Sequence, residues 1–130
     1  MGFPDDKIDA FEKAALLHDI GKIGVKDSII TKPGRLTDEE FDEIKKHPLI
    51  GFELLEKNNI FKEILPAIRS HHEKWDGSGY PDGLAGNKIP LMARIVCVAD
   101  SFDAMMSKRS YRDKMDLDYT MGEIERCKGT

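Results

Sequence analysis

Apolar residues recur along this chain at helical spacing. In the first segment Ile8, Phe11, Ala14, Ala15, Leu16 and Leu17 fall three and four apart, which lines one face of an α-helix. Asp5 or Asp6 is placed to cap its start, and the run reaches about His18. Gly21, Gly24 and the Lys32-Pro33-Gly34 turn then break regular structure, with Ile29 and Ile30 directed into the core. Thr37-Asp38-Glu39-Glu40 has the form of a capping box, in which the Thr37 hydroxyl accepts from an early amide while Glu40 reaches back. The helix it opens carries Phe41 and Ile44 inward and ends at His47, because Pro48 disfavours helical geometry at the residue before it. Pro48 suits the first turn of the next helix, whose apolar face is Ile50, Leu54 and Leu55 and which Asn58-Asn59 closes.

A further helix from about Lys62 turns Ile64, Leu65 and Ile68 inward and leads to His71-His72, with Pro66 tolerated in its first turn. Residues 73–83 are dense in Gly, Pro and Asp and form the one long irregular segment; such loops in compact domains are usually functional. Pro90 starts the longest helix, with Ile95, Val96, Val98, Ala99, Phe102, Met105 and Met106 as core and Asp100 and Asp103 set among them. After a cationic connection, Lys108-Arg109-Ser110-Tyr111-Arg112, Asp116 or Asp118 opens a last amphipathic helix bearing Leu117, Met121 and Ile124. With no alternating strand pattern and no repeat, the chain reads as an all-α helical bundle.

Composition narrows the class. At 130 residues this is one domain's worth of chain, and 40% hydrophobic with 34% charged residues is ordinary for a globular protein. The formal net charge of −4 argues against nonspecific binding to duplex nucleic acid and against a polybasic membrane patch. An anionic ligand would need local help from metal ions or a few clustered cations. Cys97 and Cys127 lack paired metal-type spacing and point to a reduced, cytoplasmic chain. No apolar run has the length of a transmembrane helix, and the start does not read as a signal peptide.

The candidate chemistry lies in the histidines. All four, His18, His47, His71 and His72, stand at predicted helix ends. His18 is followed at once by Asp19, and His71 by His72. An isolated His-Asp pair would be read as a capped helix end, but four imidazoles at helix ends with such neighbours point to a metal site. Asp100 joins them as a carboxylate on an apolar background, where coordination would explain its burial. Imidazoles with carboxylates suit divalent Fe, Mn, Zn, Ni or Co, and a carboxylate can bridge two ions. Two such ions acidify water and polarise a phosphoryl oxygen. Ser101 and Cys97 lack an obvious base, so covalent catalysis is not indicated. Lys22, just past the turn, is placed to neutralise phosphate charge, although a solvated lysine would read the same way.

The segments His18-Asp19-Ile20-Gly21-Lys22-Ile23-Gly24, His47-Pro48, His71-His72-Glu73-Lys74-Trp75-Asp76-Gly77-Ser78-Gly79-Tyr80-Pro81 and Ala99-Asp100-Ser101-Phe102-Asp103-Ala104-Met105 together resemble the HD-GYP domain. This is a bacterial branch of the HD metal-dependent phosphohydrolases. The resemblance runs over nearly the whole chain in the same order. It implies an all-α HD bundle with one long Gly/Pro-rich signature loop and hydrolysis of cyclic di-GMP to linear pGpG and, in some members of the family, onward to GMP. It implies Asp19 as bridging carboxylate, His18 and Asp100 at one metal position, and His47, His71 and His72 at the second, with Fe or Mn as the leading metals. It also implies that Lys22 meets the scissile phosphate region and that Asp103 positions Lys22. Arg109 and Arg112 would contact the dinucleotide, and Tyr80 would shape the pocket or a partner surface for GGDEF-type signalling domains.

The family's complete site uses a further histidine, and in trinuclear members a glutamate, on a preceding helix. No residue of this chain supplies them, so residues 1–130 are expected to be the core of one HD-GYP domain without that helix and without the final helices. A homo-oligomer is one expected consequence of exposed packing faces. The competing readings are a signalling module that binds nucleotide or protein without turnover, and an HD phosphohydrolase acting on another nucleotide. The Gly-Tyr-Pro loop argues against the last.

Overall fold

A computed structural model of the chain describes residues 2–107 and 115–130. The described residues form helices and turns with no strand, in agreement with the helical periodicity. In order these are α1 (Asp5–Leu17), α2 (Asp27–Ile30), α3 (Asp38–Ile44), α4 (His47–Leu55), α5 (Leu65–Ser70), α6 (Leu91–Met106) and α7 (Leu117–Arg126). Short 3-10 turns lie at Ile20–Gly24, Asn59–Phe61 and Gly86–Lys88. Among the described residues no helix is long and apolar enough to cross a membrane.

The core is built where α1, α4, α5 and α6 meet, from Ala10, Ala14, Leu55, Ile64, Ala67, Ile68 and Val96. Leu17, Phe61, Leu65 and Met92 pack against it from its edges. The inward face of α1 is narrower than its apolar pattern suggests. Ala10 and Ala14, one turn apart, are buried, whereas Leu16 is 82% exposed and Ile8 45%. Small residues on α1, α5 and α6 let these helices approach closely. α1 also starts differently from expectation: Pro4 stands at its N-cap, with Asp5 already the first helical residue, and the Pro4 carbonyl accepts from the Lys7 and Ile8 amides.

The capping box of α3 is present, with the Glu40 amide donating to the Thr37 hydroxyl at 3.3 Å and the Thr37 amide to the Glu40 carboxylate at 2.8 Å. Two helix boundaries and several faces depart from the sequence reading. α3 stops at Ile44, and His47 opens α4 instead of closing α3. The missing amide hydrogen of Pro48 falls in a first turn, where no intrahelical partner exists, so the proline begins a helix and takes His47 with it. Ile30, Phe41, Leu54 and Val98 are each more than two-fifths exposed, as are Leu117 and Met121 on α7, so these expected core residues face outward. Asp116 caps α7, its carboxylate accepting from the Tyr119 amide at 2.9 Å.

A candidate metal centre at converging helix ends

The C-terminal ends of α1 and α5, the start of α4 and the middle of α6 bring the predicted residues together. His18 is the C-cap of α1, His47 the first residue of α4 and His71 the C-cap of α5, with His72 next in the chain. Three of these imidazoles are oriented by the same local device. Nδ1 of His18, His47 and His71 lies 2.7, 2.7 and 2.8 Å from the carbonyl oxygen three residues earlier, on Ala15, Ile44 and Ile68. A carbonyl can only accept, so each Nδ1 carries the proton and, in the neutral ring, each Nε2 presents its lone pair.

Those lone pairs face one another. Nε2 of His47 lies 3.2 Å from Nε2 of His71 and 3.2 Å from Oδ1 of Asp19. One ligand-type atom from each of Asp19, His47, His71 and His72 can be chosen so that all lie within 4.8 Å of one another. On the other side of Asp19, Nε2 of His18 stands 3.4 Å from Asp19 Oδ2 and 3.6 Å from Asp100 Oδ1, too long for good hydrogen bonds. His18 Nε2 and Asp19 Oδ1 are buried with no hydrogen-bond partner. Orphaned buried polar atoms call for a cause, and a divalent cation is one that suits carboxylate and imidazole donors alike.

The electrostatics divide the cluster in two. Burial first, and the charges of neighbouring imidazoles second, push His71 down to about 3 and His72 down to about 4, which keeps both rings neutral and ligand-ready at pH 7. The Asp100 carboxylate, then that of Asp19, push His18 up to about 10. Burial alone would raise Asp19, but His18, His47 and Lys22 outweigh it and hold the carboxyl far below its usual range. Without metal, a proton on His18 thus neutralises one side. On the other side the Nε2 atoms of His47 and His71 stand 3.2 Å apart, close enough for one cation to meet both.

Around this centre, Lys22 Nζ lies 2.5 Å from Asp19 Oδ2. Gly21 seats the turn that carries it: a Cβ there would stand 1.9 Å from the His47 carbonyl oxygen and 2.5 Å from the Gly51 amide nitrogen. Tyr80 stacks on His72, centroids 4.8 Å apart at 26°. A cleft of about 230 Å³ opens beside His18 and Asp100, lined also by Ala15, Val96, Ala99 and Asp103. Asp100 is half-buried in it, with Val98 and Ala99 exposed nearby, so its setting is more open than the sequence suggested. Asp103 is exposed and accepts from the Ser107 hydroxyl at 3.2 Å, while the ion-pair partner of Lys22 is Asp19. Arg109 and Arg112 lie outside the described residues. One site-shaping residue carried no assigned role in the sequence reading. Glu73 is 3% exposed, and its two oxygens accept from the Asp82 and Leu84 amides at 2.7 and 2.9 Å. Its only sequence signal is a carboxylate directly after two histidines at the head of a Gly-rich loop.

The HD domain family matches residues 1–130. The chain therefore belongs to the HD domain family. It is 47% identical over 132 residues to the cyclic di-GMP phosphodiesterase response regulator RpfG of Xanthomonas campestris, covering 99% of this chain and 35% of that protein. It is 47% identical over 131 residues to a cyclic di-GMP phosphodiesterase of Thermotoga maritima, covering 99% and 36%. Over 133 residues it is 41% identical to the 3'3'-cGAMP-specific phosphodiesterase 2 of Vibrio cholerae, covering 98% and 25%. The chain thus spans roughly a quarter to a third of the length of these relatives. Membership of the HD family implies divalent metal, and the Asp19, His47, His71 and His72 cluster is a group that could hold it.

Proposed function

We propose that this domain is a metal-dependent phosphodiesterase that hydrolyses cyclic di-GMP to linear pGpG and, in a second cleavage, to GMP. The observation that carries the reading is the apposition of two imidazole Nε2 lone pairs at 3.2 Å with a carboxylate oxygen 3.2 Å from one of them. Three Lewis bases gathered around one buried point are favourable when a cation sits there. Asp19, His47, His71 and His72 would hold one divalent ion, and His18 and Asp100, sharing Asp19, a second. Fe or Mn suits this mixed donor set best, and Zn, Ni or Co can also be accommodated. Bound there, the ions would supply an acidified water and positive charge for the phosphoryl oxygens.

The chain's own contribution is orientation and charge. The carbonyl-locked imidazoles hold their donors in place without rotamer entropy to lose on binding. Lys22 adds a cation beside the bridging carboxylate, where a scissile phosphate would meet the cluster. Arg109 and Arg112 are proposed to contact the dinucleotide, which an acidic domain needs local cations to bind. The relatives named as cyclic di-GMP phosphodiesterases support cyclic di-GMP as substrate. The three Vibrio relatives named as 3'3'-cGAMP-specific, at 41%, 43% and 39% identity, support a second reading in which one guanine is an adenine. Mn-loaded protein given each cyclic dinucleotide separately, with products resolved by chromatography, tests both. Linear product that disappears in Asp19→Ala is expected. No turnover by the wild type, or turnover unchanged in Asp19→Ala, would refute the assignment.

A further inference from the structure

Four imidazoles converge on the cluster, and three have their Nδ1 fixed by a carbonyl three residues back. His72 does not: among the described residues no hydrogen bond orients its ring. Its ring lies instead against Tyr80, 4.8 Å between centroids and 26° between planes. Tyr80 is held there by its own amide, which donates to the His72 carbonyl at 3.2 Å, and by the fold-back of the loop behind it. That fold-back is organised by Glu73. Its buried carboxylate accepts from the Asp82 amide at 2.7 Å and the Leu84 amide at 2.9 Å, on the chain just beyond Tyr80. From α5, Arg69 clasps the Asp82 carboxylate with two bonds of 2.7 and 2.8 Å. The chain can close this tightly because Gly79 has no Cβ, which would stand 2.3 Å from the Lys74 amide nitrogen and 2.5 Å from Glu73 Cα. A buried carboxylate is costly unless its oxygens are satisfied, and both oxygens of Glu73 are used on the loop.

We propose that Glu73 is a positioning residue for the metal centre: it fixes the 80–84 segment so that the Tyr80 ring orients His72. The inference rests on the metal reading above. Removing one acceptor leaves a loop amide unpaired, lets Tyr80 move off His72, and frees a ligand that no carbonyl holds. Outer-shell orientation of this kind is typically worth 10- to 100-fold in metal affinity.

Co²⁺ binding tests it, read as affinity by chelator competition and as the visible d–d spectrum, with thermal melts reporting the fold. Glu73→Gln and Tyr80→Leu are each expected to weaken Co²⁺ about tenfold and to change the spectrum in the same way. Tyr80→Phe, which keeps the ring, should bind as the wild type does. The double variant Glu73→Gln/Tyr80→Leu should bind no more weakly than the weaker single variant, because both act on one contact. Wild-type affinity and spectrum in Glu73→Gln, or losses that add in the double variant, overturn the proposal. Should Glu73→Gln not fold, an unaltered spectrum and affinity in Tyr80→Leu overturns it alone. A wild type that binds no Co²⁺ refutes the metal reading itself and this inference with it, whereas equal binding by wild type and Glu73→Gln refutes only the role of Glu73.

Discussion

Gly21→Ala is the most informative single change to the scaffold. The added methyl would lie 1.9 Å from the His47 carbonyl oxygen and 2.5 Å from the Gly51 amide nitrogen, both backbone atoms of α4. Restoring ordinary contact at 3.4 Å requires the turn to move by about 1.5 Å relative to α4, which is overpacking of a kind that costs roughly 1–3 kcal/mol. The melting temperature should fall by roughly 3–10 °C. The larger effect should be on the metal centre. The turn follows Asp19 and carries Lys22, while α4 carries His47, so the displacement separates groups now 3.2 Å apart. Loss of ligand orientation typically costs about 10- to 100-fold in metal affinity, and Co²⁺ affinity should drop accordingly. Two other glycines calibrate the result. A methyl on Gly24 meets only the Ile50 side chain, at 2.9 and 3.1 Å, which can rotate away, so Gly24→Ala should cost under about 1 kcal/mol. Gly122 has nothing within 4 Å and sits in α7, so Gly122→Ala should stabilise by roughly 0.5–1 kcal/mol. Melting and Co²⁺ titration of the three variants decide the matter. Wild-type behaviour of Gly21→Ala, or a larger loss in Gly24→Ala, would refute the reasoning.

Other expected outcomes follow from the same geometry. His71→Ala and His72→Ala should each lower bound metal after dialysis, measured by elemental analysis; unaltered content would remove those residues from the ligand set. The wild type should hold at most about two ions per chain, given the donors present, and a count of three would contradict the grouping. Thr37→Ala should destabilise by about 1 kcal/mol in denaturant unfolding, through loss of the α3 cap. His18 makes the metal-free protein pH-sensitive: its raised pKa means its stabilising contribution is complete below about pH 6.5 and is lost as pH climbs toward 10. Melting of metal-stripped protein should therefore fall across that window more than melting of His18→Gln, and a parallel decline in both would exclude His18 as the source.

Local signals in the sequence were the ones that carried furthest. The α3 capping box was legible because its four residues satisfy one another without tertiary help. The candidate site was legible because the histidines stand at predicted helix ends, and His18, His71 and His72 each adjoin a carboxylate or a second imidazole. Boundaries and faces were less so. Pro48 is compatible with ending one helix or beginning the next, and only the packing of the start of α4 against the Ile20–Gly24 turn, with Gly21 and Gly51 in contact, selects the second. α1 carries more apolar residues than its contact face can cover, so Leu16 remained outside while Ala10 and Ala14 went in. The clamp made by Glu73 was hidden for another reason. Nothing in a charged residue on a Gly-rich loop reveals that the loop will fold over it and bury it.

The central claim is that Asp19, His47, His71 and His72 form a metal centre. An anomalous difference map from a Mn-loaded crystal, collected at the metal edge, tests it directly. A peak within bonding distance of Asp19 and of the His47 and His71 Nε2 atoms is expected, with His72 completing the set. A map with no peak among these residues, while the protein is folded and metal is in excess, would contradict it.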